Sequence, residues 1–155
     1  FLHNKSGSFF LSGWCGENAE AKKGTLSSSE FEVGGCGYIT FKLGGGKDTS
    51  LCYIEIVDAD TDTVLAKYGN EKFHDFNKSY LMNGQIKDLS LDDTYLANMV
   101  SYKADLSEFI GKNVFIRIVD NAQSDWGLVF CDDFITYYES VEDISSNYIE
   151  ALNLK

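Results

Sequence analysis

The sequence predicts an all-β domain. Short segments rich in Val, Ile, Phe and Tyr recur between Gly, Asp, Asn and Ser clusters, one of them alternates apolar and polar residues cleanly, and helical patterning is scarce. The 155 residues suit a single domain with a real core, and 44% hydrophobic content is a folding composition despite a net charge of −11.

Six segments carry the strand signal: Glu30–Val33, Gly37–Leu43, Leu51–Val57, Val64–Tyr68, Val114–Val119 and Leu128–Tyr138. In Tyr38–Leu43, Ile39, Phe41 and Leu43 alternate with Tyr38, Thr40 and Lys42, as on a sheet with one buried face. Gly44–Asp48 and Asp58–Asp62 have turn chemistry and read as two hairpins. Ser107–Gly111 reads as one helical turn closed by glycine, and Ser90 with Asp93 forms a capping pattern ahead of Tyr95–Met99. Residues 73–89 are irregular and long for a connection, a length that often accompanies function. Past residue 139 the pattern changes. Val141, Ile144, Tyr148, Ile149 and Leu152 lie at helical spacing, so the chain divides into a sandwich over 1–139 and a C-terminal helix or linker over 140–155.

Charge narrows the partners. A surface with 24 acidic against 13 basic residues, and no basic cluster, disfavours nucleic acid and anionic lipid. No apolar run is long enough for a membrane-spanning helix, so no membrane insertion is expected. The first residue is Phe1, which suggests a processed piece of a longer protein. Four scattered cysteines, without paired spacing, read chiefly as buried thiols, with one or two disulfides as the other option.

Catalytic chemistry is thinly supplied. His3 and His74 are the only histidines, so a nucleophilic triad would rest on His74. Carboxylate pairs leave a small glycosidase open, although most acids sit in turns or at helix starts, where solvation and capping explain them. Asp132 and Asp133 differ, because they interrupt an apolar strand. Alternation would turn one of them inward, and either calcium or backbone N–H groups would offset the cost.

The stretch Asp120–Trp126 places an indole among hydrogen-bonding side chains. Trp126 can be core, or it can be a platform for the apolar face of a sugar ring whose hydroxyls meet Asp120, Asn121 and Asp125. Arg117, on the strand leading there, either orients a carboxylate or pairs on the surface.

Four stretches, "GTLSSSEFEV", "YITFKLGGG", "LCYIEIVDADTDTVLAKYGN" and "YKADLSEFIGKNVFIRIVDNAQSDWGLVFCDDF", resemble the galactose-binding-like modules appended to bacterial glycoside hydrolases, those of the fructan-cleaving family 32 in particular. The similarity spans residues 7 to 138. It implies a jelly-roll sandwich of two antiparallel sheets and non-catalytic binding of carbohydrate. It also implies a structural calcium at Asp132 or Asp133. Relatives place an acid after the Phe of the first strand, where this chain has Phe10, so Glu17 becomes the substitute ligand. The same resemblance implies a secreted, extracellular or cell-surface setting, a monomer, and a neighbouring catalytic domain. Trp14 is expected to plug the core, and Tyr68, Phe76 and Tyr80 to wall a cleft or pack the long loop. An interaction domain without sugar chemistry is the alternative from outside this class.

Overall fold

Ile39, Phe41 and Leu43 do turn inward, and with Tyr102, Ala104 and Cys131 they form one wall of the core; Ile54, Ile56, Ala66, Tyr68, Val114 and Ile116 form the other. The computed structural model describes residues 4–73, 79–82, 85–88, 99–123 and 126–155, with only the backbone of 79–82 and 85–88. Among them run twelve strands: β1 (Leu11–Ser12), β2 (Gly24–Ser27), β3 (Phe31–Glu32), β4 (Tyr38–Gly45), β5 (Cys52–Asp58), β6 (Thr63–Tyr68), β7 (Ser79–Met82), β8 (Gln85–Asp88), β9 (Val100–Asp105), β10 (Asn113–Asp120), β11 (Val129–Ile135) and β12 (Ile149–Glu150).

One sheet has the order β1-β11-β4-β9-β12 and the other β2-β10-β5-β6, with β3 also on β10 and β7-β8 a separate hairpin. Every pairing is antiparallel except β12 with β9. The molecule is an all-β sandwich of two mostly antiparallel sheets, as the alternation predicts. Facing apolar sides give it its stability: Phe41 lies 5.9 to 6.0 Å, centroid to centroid, from the rings of Tyr68, Tyr102 and Phe134, which come from both sheets.

Three expectations are corrected. Residues 140–155 form no α-helix: Ser140 caps a single 3-10 turn at Val141–Asp143, and Ile149–Glu150 then pair with Tyr102–Lys103. The unpaired edge of β9 offers backbone groups that an isolated helix would not satisfy. Ala151 N–H donates to Lys103 O at 2.7 Å and Leu154 N–H to Lys67 O at 2.8 Å, so this tail ties β9 of one sheet to β6 of the other.

Gly44–Asp48 is not a hairpin, because β4 and β5 belong to different sheets. Its glycines carry the crossing. Gly45 has φ +64°, and a Cβ there would stand 2.2 Å from Leu128 O. The Asp58–Asp62 turn, in contrast, does join a hairpin, β5-β6, and Asp58 Oδ1 accepts the N–H groups of Asp60 and Thr61 at 2.9 and 3.3 Å.

Trp14 does not plug the core; it is 62% exposed. The 3-10 turn at Ser107–Phe109 agrees with the pattern seen there. Tyr68 packs in the core, whereas His74, Phe76 and the Ser90–Asp93 pattern lie outside the described residues. Among the described residues no helix is long and apolar enough to cross a membrane.

Candidate functional site

Strand β10 sorts the candidate residues before any ligand is considered. Side chains alternate along it, so Val114, Ile116 and Ile118 face the core while Phe115 and Arg117 face out. Arg117 lies opposite Glu55 of β5, and its Nε donates to Glu55 Oε2 at 2.7 Å, with the guanidinium 5.9 Å from the Phe115 ring centroid. It is a cross-strand ion pair on the outer face. Asp120 follows the inward set, so the two do not converge.

Asp120 ends the strand half-buried. Its Oδ1 accepts from Cys52 Sγ at 3.6 Å and from Ala122 N–H at 3.4 Å. Burial pushes the carboxyl up from the usual range, and these two donors oppose the push. Its Oδ2 makes no hydrogen bond among the described residues and lies 3.6 Å from where a Cβ on Gly13 would stand. Gly13 N–H in turn donates to Val129 O at 2.9 Å, which lays the first strand segment beside the carboxylate.

Between them opens a cleft of about 300 Å³, lined by Ser12, Cys15, Lys22, Thr25 and Leu26 as well as Asp120. Trp14 lies between Gly13 and Cys15, both of which line the cleft, and its indole is largely in water. A second hollow of about 450 Å³ shares Leu11, Leu26 and Ile118 with the first and continues between the sheets past Ile116 and Phe134.

Trp126 takes another part. It has φ +56° and is half-buried against the cluster of Ala19, Met99, Leu128 and Phe130, which Phe10 also covers, with the Phe73 ring 5.9 Å away. Its N–H donates to Glu20 Oε1 at 3.0 Å, and its carbonyl accepts Lys47 N–H at 3.3 Å. The residue thereby braces the 3-10 turn Ala19–Ala21, from which Lys22 and Lys23 continue into the cleft wall. Asn121 is exposed, and its N–H donates to Leu51 O at 2.9 Å. Asp125 lies outside the described residues.

At Asp132–Asp133 the alternation argument fails for an identifiable reason. The register of β11 on β4 shifts between Asp132 and Ile135, and Asp133 has φ +56°. The bulge adds a residue, so both carboxylates reach Ser6 and Phe134 returns to the core. Ser6 N–H donates to Asp132 Oδ2 at 2.7 Å and Ser6 Oγ–H to Asp133 Oδ2 at 3.0 Å.

Lys42, opposite Asp132, brings its ammonium to 4.0 Å from Asp133 Oδ2. Among the described residues no three His, Cys, Asp or Glu side chains gather as metal ligands, so exposed Glu17 does not join this pair in such a group. Donors surround these carboxylates. A hard cation needs oxygen acceptors at that point, and the set as arranged does not fit calcium.

All four cysteines are free thiols: Cys52 and Cys131 buried, Cys36 half-buried, Cys15 exposed. Cleft residues that sequence reasoning did not assign to a site are Ser12, Lys22 and Thr25, and exposed Trp14 sits in the chain between the lining residues Gly13 and Cys15. Only the pairing of aromatic and glycine at Gly13-Trp14 marked the stretch, and Gly127 beside Trp126 gave the same mark. No protein-family model, no curated protein and no solved structure matches this chain.

Proposed function

We propose that the chain is a non-catalytic carbohydrate-binding module whose site is the Asp120 cleft, with Trp14 as the stacking surface. The observation that carries this reading is Asp120 Oδ2, unengaged among the described residues, in a concave, hydroxyl-bearing cleft whose lining residues Gly13 and Cys15 flank the exposed Trp14 in the chain. Sugar rings present apolar C–H faces that suit an indole, and their hydroxyls need a directional acceptor such as a carboxylate. Ser12 and Thr25 add hydroxyls that both donate and accept.

The sugar ligand expected from the sequence is kept, as a neutral glycan, but the site moves from Trp126 to Trp14. Trp126 becomes support, Asn121 is exposed but does not line the cleft, and Arg117 drops out because Glu55 engages it on the other face of the strand. Such a module raises the effective concentration of a linked catalytic domain at its substrate, which suits an extracellular carbohydrate-active protein.

A screen of neutral oligosaccharides on an array, followed by titration calorimetry, tests the reading. Binding that vanishes in Trp14→Ala and Asp120→Asn, with folding retained, supports it. Full binding in Trp14→Ala sinks the assignment of the site, and absence of any glycan ligand sinks the function. Release of new reducing ends from a bound oligosaccharide would overturn the non-catalytic part.

A further inference from the structure

The two long sides of the sandwich are finished differently. On one, the tail past β12 links β9 to β6 through the Ala151 and Leu154 N–H groups. On the other, the hollow of about 450 Å³ opens between the edge β1-β11 of one sheet and the edge β2-β3 of the other. Its walls are mostly apolar: Leu11, Cys131 and Phe134 come from the first sheet, and Phe31, Ile116 and Ile118 from the second. Leu26 lines it as well and is 51% exposed. Sandwich interiors normally fill such space with their own side chains. Here the short side chains of Ser27, Ser28 and Ser29 line it instead.

Both edges are irregular where they meet the hollow. Ser27 faces Arg117 and Phe31 faces Val114, so four steps along one strand match three along the other. Ser28 occupies that break: its N–H donates to Ile116 O at 2.8 Å, and its Oγ accepts the Ile116 N–H at 2.9 Å. Across the hollow, Asp132 faces Lys42 and Ile135 faces Thr40, three steps against two. Each sheet thus carries one extra residue at the same opening. Bulges of this kind gather at sheet edges and beside binding sites, where they re-aim side chains.

Resting on the carbohydrate reading above, we propose that this larger hollow receives the aliphatic aglycone of a glycoside whose sugar occupies the Asp120 cleft, so that the ligand is a neutral amphiphile. The two spaces are continuous, because Leu11, Leu26 and Ile118 line both. One offers a carboxylate and hydroxyls, the other an apolar wall, and a hollow of this size falls in the range of small-molecule sites. The head group is neutral for a reason of charge. Asp132 and Asp133 also line the larger hollow, and they already accept from Ser6, so an anionic amphiphile such as a fatty acid meets repulsion there.

The test is titration calorimetry of the full chain with the methyl, butyl, hexyl and octyl glycosides of glucose, galactose and mannose, below their micelle concentrations, and with 1-octanol and octanoate. From butyl to octyl, affinity for at least one sugar should tighten by about two- to fourfold per methylene. That octyl glycoside should bind about tenfold more tightly than 1-octanol, through the hydrogen bonds of its sugar, and octanoate should bind more weakly than 1-octanol. Ser29 is exposed and lines the larger hollow but not the Asp120 cleft. Ser29→Trp should therefore abolish the gain with chain length and leave the methyl glycosides bound as in the wild type. Asp120→Asn should do the reverse, weakening all glycosides by a common factor and keeping the gain. Octyl glycosides that bind no better than methyl ones overturn the inference and leave the carbohydrate reading standing. Octyl glycosides that bind no better than 1-octanol overturn that reading, and the inference with it. The wild-type series decides both points even if Ser29→Trp does not fold. Octanoate that matches 1-octanol overturns the neutral class, and a wild-type dimer that Ser29→Trp dissociates in sedimentation assigns the hollow to a second copy and overturns the proposal.

Discussion

Replacing each tryptophan by alanine separates the brace from the surface. Trp126 packs on Phe73 and on the buried cluster of Ala19, Met99, Leu128 and Phe130 but keeps part of its ring in water. A fully buried Trp→Ala change costs about 3–5 kcal/mol, and half-burial scales this to about 2 kcal/mol. Alanine at φ +56° is no worse than tryptophan, since both carry a Cβ, so the backbone adds nothing. At about 2–4 °C per kcal/mol for a chain of this size, Trp126→Ala should lower Tm by about 4–8 °C.

Trp14, 62% exposed, should change stability by less than about 0.5 kcal/mol on the same substitution. Thermal melts by circular dichroism measure both. Single-tryptophan variants give a second readout: with Trp14→Phe the remaining indole should emit to the blue and resist acrylamide, and with Trp126→Phe it should emit to the red and quench readily. An unchanged Tm in Trp126→Ala, or the opposite order of quenching, would refute the division of labour between the two rings.

The remaining expectations concern charge and backbone. Burial raises the Asp120 carboxyl, so its contribution to stability is present in acid and lost as pH rises through the raised value. In urea melts, Asp120→Asn should therefore gain on the wild type at neutral pH and lose that advantage in acid. Glycan affinity should decline as Asp120 takes up its proton, at a pH above the ordinary carboxylate value of about 3.9. Asp58 runs the other way. The Asp60 N–H holds it low, against partial desolvation and with help from the Lys112 ammonium and the Thr61 N–H, so its stabilisation is present above about pH 3.9 and fades as pH falls through the lowered value. Asp58→Ala should flatten that acid limb. Gly35→Ala would put a Cβ 2.1 Å from Tyr138 O at φ +56°, and should cost about 3 kcal/mol or more, read as loss of soluble folded protein.

What could be read in advance was the set of strands with dense β-branched and aromatic content, because β4, β5, β6, β10 and β11 bury one face in the shared core. Strand β2 was not readable. Its Gly-Thr-Leu-Ser is turn-like in composition, all four residues are exposed, and it is a strand only because Leu26 meets Ile118 of a distant segment. The tail failed for a related reason: Ile149 and Leu152 fit a helical stripe, yet Ile149 pairs with Tyr102 and Leu152 is 63% exposed.

At the site, composition located the end of β10 but not the direction of its side chains. Arg117 and Asp120 are three apart, so one strand sends them to opposite faces, whereas Asp132 and Asp133 are adjacent and a bulge brings them together. Two tryptophans beside glycines look alike in one dimension. Only the packing partners of Trp126, contributed by residues as far apart as Ala19 and Phe130, tell them apart.

The unequal settings of the four thiols make the molecule selectively addressable. Burial pushes Cys52 and Cys131 up to about 12, so at neutral pH neither supplies the thiolate that alkylation requires. Cys15 stands in the open on the wall of the Asp120 cleft. With half-buried Cys36 changed to serine, an environment-sensitive dye attached by maleimide chemistry would sit at the mouth of the proposed sugar site and report its occupancy optically, with no need to tag the ligand.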